Sequence, residues 1–348
     1  MTARPGDAAS AAVTARARKR QLLRVYALFG SALAIVLLVA PLVGSTPLDP
    51  WRIFDRTIPY ASNLDAQIFF IARLPRVIAA ALVGATLASA GVVVQALLRN
   101  PLATPFTLGV SSGSALGAML ALTFLPTWGL GPLTAVPLAS LAGAFGAVLI
   151  VYGLAQARHR GFSTEVLLLA GVTLNAFFSA LILLVQYLSD FTQTVRTLRW
   201  LMGDLDIGGF GTLMTVLPLL LVAWALFAWL PRSLNVLALG AEQAGTRGVP
   251  VVRVQRVAFF SASLATGVVV SLAGPIGFVG IIVPHLVRAL VGADHRIVLP
   301  ASFLFGGAFM VLCDTLARTI IAPVELPVGV VTATIGGPFF LWLLVFRR

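Results

Sequence analysis

The sequence predicts an all-α integral membrane protein with about ten transmembrane helices. Three observations predict it. Of its 348 residues, 59% are hydrophobic and only 10% are charged, where a soluble domain is nearer half apolar and a quarter charged. The apolar residues lie in long blocks, and 28–43 and 217–230 carry no charge at all; a spanning helix needs about 20 mostly apolar residues. Short clusters of Arg, Asp, Pro and Gly separate the blocks. The 20 Pro and 32 Gly fit, because helices in lipid tolerate both better than helices in water.

The elements follow in order. Residues 1–21 are rich in Ala and Arg and are expected to be a disordered leader; 22–348 then form one transmembrane domain. Arg16, Arg18, Lys19, Arg20 and Arg24 precede an apolar run, as in a signal peptide. That run is long for one and no cleavage-site pattern follows, so it reads as a first helix, 22–45. A loop covers 46–66. Helix 67–98 passes Arg73-Leu-Pro-Arg76 and is broken by Asn100-Pro101. Helices follow at 105–125 and 133–157 around a turn at 126–132. A polar loop at 158–161 leads to helix 165–188, and 189–209 is a longer polar stretch. Helix 211–230, the polar segment 231–250 and helix 251–273 come next. Gly274-Pro275 opens a turn before helix 277–292. Helices 299–320 and 328–346 flank a turn at 323–327.

Charge orients the bundle. With the N-terminus inside and an even helix count, only Arg52, Arg56, Arg73, Arg76, Arg196, Arg199 and Arg318 of the 24 Lys and Arg fall outside. Excess Arg marks cytoplasmic loops, so both termini are expected in the cytoplasm. The same rule explains the net charge of +12 without nucleic acid. Small residues predict tight packing at Gly84, Ala88 and Gly91, and again at Ala139, Gly143 and Gly146. Ser111-Ser112-Gly113-Ser114 and Gly274-Pro-Ile-Gly277 read as irregular backbone, which membranes tolerate only inside protein or beside a watery path.

Absent chemistry narrows the function. The only Lys is Lys19, so no P-loop can hold ATP phosphates. The only Cys is Cys313, and His159, His285 and His295 are far apart; no metal site or cofactor is expected. Catalytic carboxylate pairs and His-Glu-x-x-His are missing. Ionisable groups at mid-helix, the mark of ion-coupled transporters, are scarce: Asp314, Arg318 and His285 lie nearer helix ends. The chain forms a path without an energy source of its own.

Arg73-Leu-Pro-Arg76, Gln95-Ala-Leu-Leu-Arg-Asn-Pro-Leu-Ala103, Leu108-Gly-Val-Ser-Ser-Gly113, Leu167-Leu-Leu-Ala-Gly-Val172, Gly274-Pro-Ile-Gly-Phe-Val-Gly-Ile-Ile-Val-Pro-His285, Asp294-His-Arg296, Asp314-Thr-Leu-Ala-Arg318 and Glu325-Leu-Pro-Val-Gly-Val-Val-Thr-Ala333 together resemble the FecCD-type permeases. These are the membrane subunits of bacterial ABC importers for ferric siderophores, haem and cobalamin. The likeness runs in order from about residue 50 to the end. It implies the type II ABC importer permease fold, with helices 2–5 echoed inverted by helices 7–10. It also implies a permease homodimer in the bacterial inner membrane, two copies of a cytoplasmic ABC ATPase, and a periplasmic or lipid-anchored binding protein. The cargo by this likeness is an iron chelate, ferric siderophore before haem or cobalamin.

The likeness also distributes roles. The loop 234–250 matches the family's coupling helices, with Leu239, Gly240, Glu242, Arg247 and Gly248 facing the ATPase. Arg73, Arg76 and Arg318 match arginines that receive the binding protein; the plainer reading of Arg318 is a pair one turn away with Asp314. Arg52 and Arg56 are weaker candidates. Asn100, Leu102, Ser163 and Thr164 match a cytoplasmic gate, although Ser163 or Thr164 serves equally as a helix cap. Thr173, Asn175 and Ser179 line a path or bond to neighbouring helices. Two other classes stay open: a stand-alone secondary transporter and a structural membrane scaffold.

Overall fold

The computed structural model describes residues 5–125, 129–130, 133–158 and 164–346. Its helices, in order, are α1 (Pro5–Val39), α2 (Pro50–Ile53), α3 (Leu64–Gln67), α4 (Leu74–Leu98), α5 (Val110–Phe124), α6 (Ala135–Arg158), α7 (Thr164–Leu188), α8 (Phe191–Leu201), α9 (Phe210–Trp229), α10 (Pro231–Leu237), α11 (Ala241–Thr246), α12 (Val251–Ala273), α13 (Val279–Val291), α14 (His295–Thr319) and α15 (Val328–Phe346). A two-residue antiparallel pair, Gly129–Leu130 with Leu133–Thr134, precedes α6. Each apolar block of the sequence holds a helix. Among the described residues, seven are long and apolar enough to cross a bilayer, and Val110–Phe124, Val279–Val291 and Val328–Leu343 are shorter apolar helices.

The centre of the bundle is α4. It packs against α12, α13 and α14, while α5 pairs with α6 and α7. Small residues set these contacts. A Cβ on Gly84 would lie 2.2 Å from the Gly306 carbonyl oxygen, and one on Gly91 2.2 Å from that of Gly280. Gly143 and Gly113 face each other likewise, and Gly117 meets Ala139. Lipid tails solvate Leu as well as a protein core does, so close backbone approach is what holds such helices together. Gly146 departs from the expected seam: nothing lies within 4 Å of its Cβ direction.

Four local readings change. First, α1 runs over Pro5–Val39, where the first helix was expected at 22–45; Ala and Arg are strong helix formers, and here they continue a spanning helix. Second, the stretch 189–209 contains the helix α8, closed by a capping box in which Asp190 accepts from the Gln193 N–H. Third, Ser111–Ser114 is helical rather than irregular, because Ser112 turns its hydroxyl back to the Gly109 carbonyl and Ser114 bonds Ser140 at 2.6 Å. The irregular piece lies just upstream, at Pro105–Leu108 and Gly109 (φ +82°). Fourth, the second expected helix is not uniform: Ile68–Arg73 is a π-helical stretch ahead of α4.

The turn at 274–278 is irregular and enclosed as expected. Gly274 (φ +68°) lies so near Trp200 that a Cβ would come within 2.3 Å of its carbonyl oxygen. Ile276 is buried, Phe278 is left-handed at φ +67°, and the Asp204 N–H donates to the Ala273 carbonyl at 2.9 Å. The shortest two of the three short apolar helices, α5 and α13, thus both follow an irregular Gly- and Pro-bearing segment. They are the third and eighth apolar helices among the described residues.

Candidate translocation path and its two ends

The bundle has an ionic end and a loop end. The ionic end is where α4 begins and α14 finishes. Asp314, fully buried, accepts from two arginines: Arg76 Nε at 2.9 Å on one oxygen and Arg318 Nε at 3.0 Å on the other. Arg76 also reaches Glu325 at 2.6 Å. Arg318 donates onward to the Val43 carbonyl at 2.9 Å and to that of Ala40. Arg73 donates to the carbonyls of Pro41, Leu42 and Thr46. Two buried cations therefore close the C-terminal end of α1, where carbonyls lack helical partners and the dipole favours positive charge.

This placement bears on the three arginines expected to meet a binding protein. Arg73 is 7% exposed and Arg318 3%, and their hydrogen bonds go to the chain itself. The pairing of Arg318 with Asp314 one turn away, weighed from sequence, is present. Arg76 alone has a partner at the surface, since the Glu325 side chain is 44% exposed. Arg52, Arg56, Arg196 and Arg199 are exposed.

The loop end is where α4 stops. Arg99 turns left-handed (φ 48°, ψ 36°) and ends the helix. Asn100 then accepts from the Leu102 N–H at 2.9 Å, which fixes the Asn-Pro break. Opposite, α10 and α11 form a knob. Leu234, Leu237 and Ala244 are buried and anchor it; Leu239, Glu242, Arg247 and Gly248 are exposed. Gly240 at φ +117° permits the abrupt start of α11, and Gly248 at φ +77° the exit.

One expected gate residue, Thr164, meets the α4 end and the knob here. A cavity of about 260 Å³ is lined by Arg99 of the α4 end, Thr164 and Glu165 of α7, and Leu237 and Ala241 of the knob. Ser163 lies outside the described residues. A second cavity, of about 740 Å³, runs between α13 and α15 and is lined by Pro101, His285, Arg288, Phe339 and Trp342. Arg288 is tied back to Gln95 of α4, and Gln95 donates to the Gly280 carbonyl at 2.9 Å.

The polar residues of α7 separate. Asn175 accepts from Ser112 at 2.5 Å and donates to the Phe106 carbonyl at 3.1 Å, an interhelical bond to α5 and its lead-in. Thr173 and Ser179 point away from the bundle; Thr173 bonds back to the Leu169 carbonyl at 2.8 Å. Sequence reasoning gave no role to Gln95, quoted only within a motif, and missed Asn235. Asn235 of α10 donates to Asp294 at 2.6 Å and contacts His295 Nδ1 at 2.7 Å, which ties the knob to α14. Their only sequence signal is polarity at the end of an apolar block.

The profile of the FecCD transport family matches residues 32–346. The hemin transport system permease HmuU of Yersinia pestis is 38% identical over 320 residues, covering 90% of this chain and 94% of that protein. The cobalamin import system permease BtuC of Halobacterium salinarum is 42% identical over 306 residues, 86% and 80% of the two chains. A solved structure assigned to the metal-chelate type of ABC transporters, in an inward-facing conformation, superposes with a TM-score of 0.80 at 32% identity, over 93% of this chain and 99% of that one. Nothing in these likenesses supports a stand-alone transporter. A match across most of the chain, on a helical fold whose break, knob and enclosed turn coincide with the sequence motifs, makes this multi-pass membrane protein a member of the FecCD transport family.

Proposed function

We propose that this chain is the permease of an ABC importer that carries an iron chelate across the bacterial inner membrane, with ferric siderophore the first cargo and haem or cobalamin next. The observation that carries the reading is the exposed knob of α10 and α11, anchored by buried Leu234, Leu237 and Ala244 and sharing one cavity with Thr164 and the α4 end. A rigid knob that abuts a gate can pass motion from an ATPase below to the path above. Glu242, Arg247 and Leu239 are its contact residues, with Gly240 and Gly248 as its hinge points. Asn100, Leu102 and Thr164 gate the inner mouth, together with Ser163. The ionic end faces out, and both termini face the cytoplasm.

A second copy of the chain covers α7, whose outer face carries Thr173 and Ser179, so that the path runs between two copies over two ATPase subunits. A binding protein docks at the ionic end by exchange: its carboxylate replaces Glu325 on Arg76, while Arg73 and Arg318 hold the frame. Glu325→Gln removes the competitor and tightens docking by about two- to five-fold, the strength of an exposed ion pair; unchanged affinity removes Arg76 from the docking site.

Reconstitution tests the whole. The chain is placed in liposomes with its ATPase and binding protein, and chelate uptake is followed. Uptake is expected only with both partners and ATP. Accumulation by the chain alone under an ion gradient overturns the importer reading. Competition among ferric siderophores, haem and cobalamin identifies the cargo.

A further inference from the structure

A cavity of about 460 Å³ lies away from the path, on the flank of the bundle toward the loop end, between α1, α4, α9 and α14. Its walls are apolar: Tyr26, Trp224, Phe227 and Phe303 line it. Two polar groups break that wall. Arg296, in the first turn of α14, has a buried Nε without a hydrogen-bond partner. Ser89 of α4 is 1% exposed, lines the same cavity, and its hydroxyl also has no partner. Most buried hydroxyls in membrane helices bond back to their own backbone, as Thr86 does to Leu82 at 2.6 Å one turn earlier. A guanidinium Nε and a hydroxyl left without acceptors in an apolar crevice cost free energy, and one ligand bearing oxygen acceptors would relieve both.

The position says which ligand. The apolar stretches of α1 and α9 that flank the cavity are only 22% and 28% buried, so the cavity opens sideways to lipid. Arg232 follows Pro231 at the rim and is exposed. A basic pocket between helices beside the inner leaflet fits an anionic headgroup, and an aromatic wall fits an acyl chain. The geometry points to an anionic glycerophospholipid bound here: its phosphate on Arg296, an ester oxygen accepting from the Ser89 hydroxyl, and one acyl chain along Trp224, Phe227 and Phe303. The site depends on membrane embedding and not on the cargo or the importer cycle.

Trp224 reports on occupancy. Full-length protein is reconstituted into phosphatidylcholine nanodiscs containing a minor fraction of dibromostearoyl lipid, and the quenching lost in Trp224→Phe is taken as the signal from this site. Dibromostearoyl phosphatidylglycerol should quench with about five-fold higher apparent affinity than the phosphatidylcholine analogue, the worth of one Arg near an anionic lipid. Arg296→Gln should abolish the preference and Arg296→Lys should keep most of it. If Arg296→Gln does not fold, Ala228→Leu at the exposed mouth serves instead and should weaken quenching by both lipids. Equal quenching by the two lipids in the unaltered protein overturns the proposal. So does a preference that survives Arg296→Gln, and so does its loss on adding inorganic phosphate, which would make the ligand a free anion.

Discussion

The helices α4 and α7 enter lipid with the same hydrophobicity and end in opposite places. The most apolar stretch of each has a mean hydropathy of 2.3, yet that stretch is 83% buried in the span that contains α4 and 22% buried in α7. The difference is side-chain size and where the small residues fall. Gly84, Ala85, Ala88, Ala90 and Gly91 make α4 thin enough for three helices to close on it. The other helix, α7, presents Leu169, Val172, Phe177, Leu183 and Tyr187, all more than half exposed. Hydropathy decides that a segment crosses; small residues decide whether it crosses in the middle.

The largest break in that comparison is at the ionic end of α4. Asp314→Ala leaves Arg318 buried without its carboxylate and strips Arg76 of one of its two, and should cost about 3–5 kcal/mol. Thermal unfolding in detergent should show a clear fall in Tm; a small fall means the ion pairs contribute little. Next, Gly91→Leu forces a side chain into the Gly280 backbone and should cost about 1–3 kcal/mol or more. The paired variant Ala180→Leu, on the exposed face of α7, should stay within about 0.5 kcal/mol. Equal costs would erase the distinction between the two helices. Asn175→Ala removes the bond that ties α7 to α5 and should cost about 0.6 kcal/mol, typical of interhelical bonds in a bilayer. The smallest effect on stability sharpens the comparison most. Thr173→Cys should leave the Tm unchanged and allow an oxidative crosslink between two copies. Without a crosslinked dimer, the bare face of α7 belongs to lipid.

The same contrast separates what the sequence discloses from what it hides. Every apolar block became a helix, because insertion depends on composition over a stretch. The seam at Gly84 and Gly91 was legible because small residues recur along one helix face. The capping box of Asp190 and Gln193 was also present in the letters, but 189–209 is too polar to suggest a helix by hydropathy. The pairing of Arg76 with Asp314 joins residues 238 positions apart, and no local pattern announces it. The burial of Arg73 and Arg318 against the end of α1 is equally long-range and equally silent in the sequence. The Arg318 pair with Asp314 spans one helical turn, and such a contact can be read directly from spacing.

The shortness of α5 and α13 has an electrical consequence. Thirteen residues of α13 rise about 20 Å, against about 30 Å of hydrocarbon. The remaining depth is covered by bent backbone with its amide dipoles, not by a closed helix. Amide dipoles not locked into a closed helix can turn toward a charged or strongly polar solute and lower its self-energy. A polar solute moving past these two helices would meet bent backbone over that depth, with Arg288 the one charged side chain of α13. Such a path can conduct a bulky polar cargo and still release it.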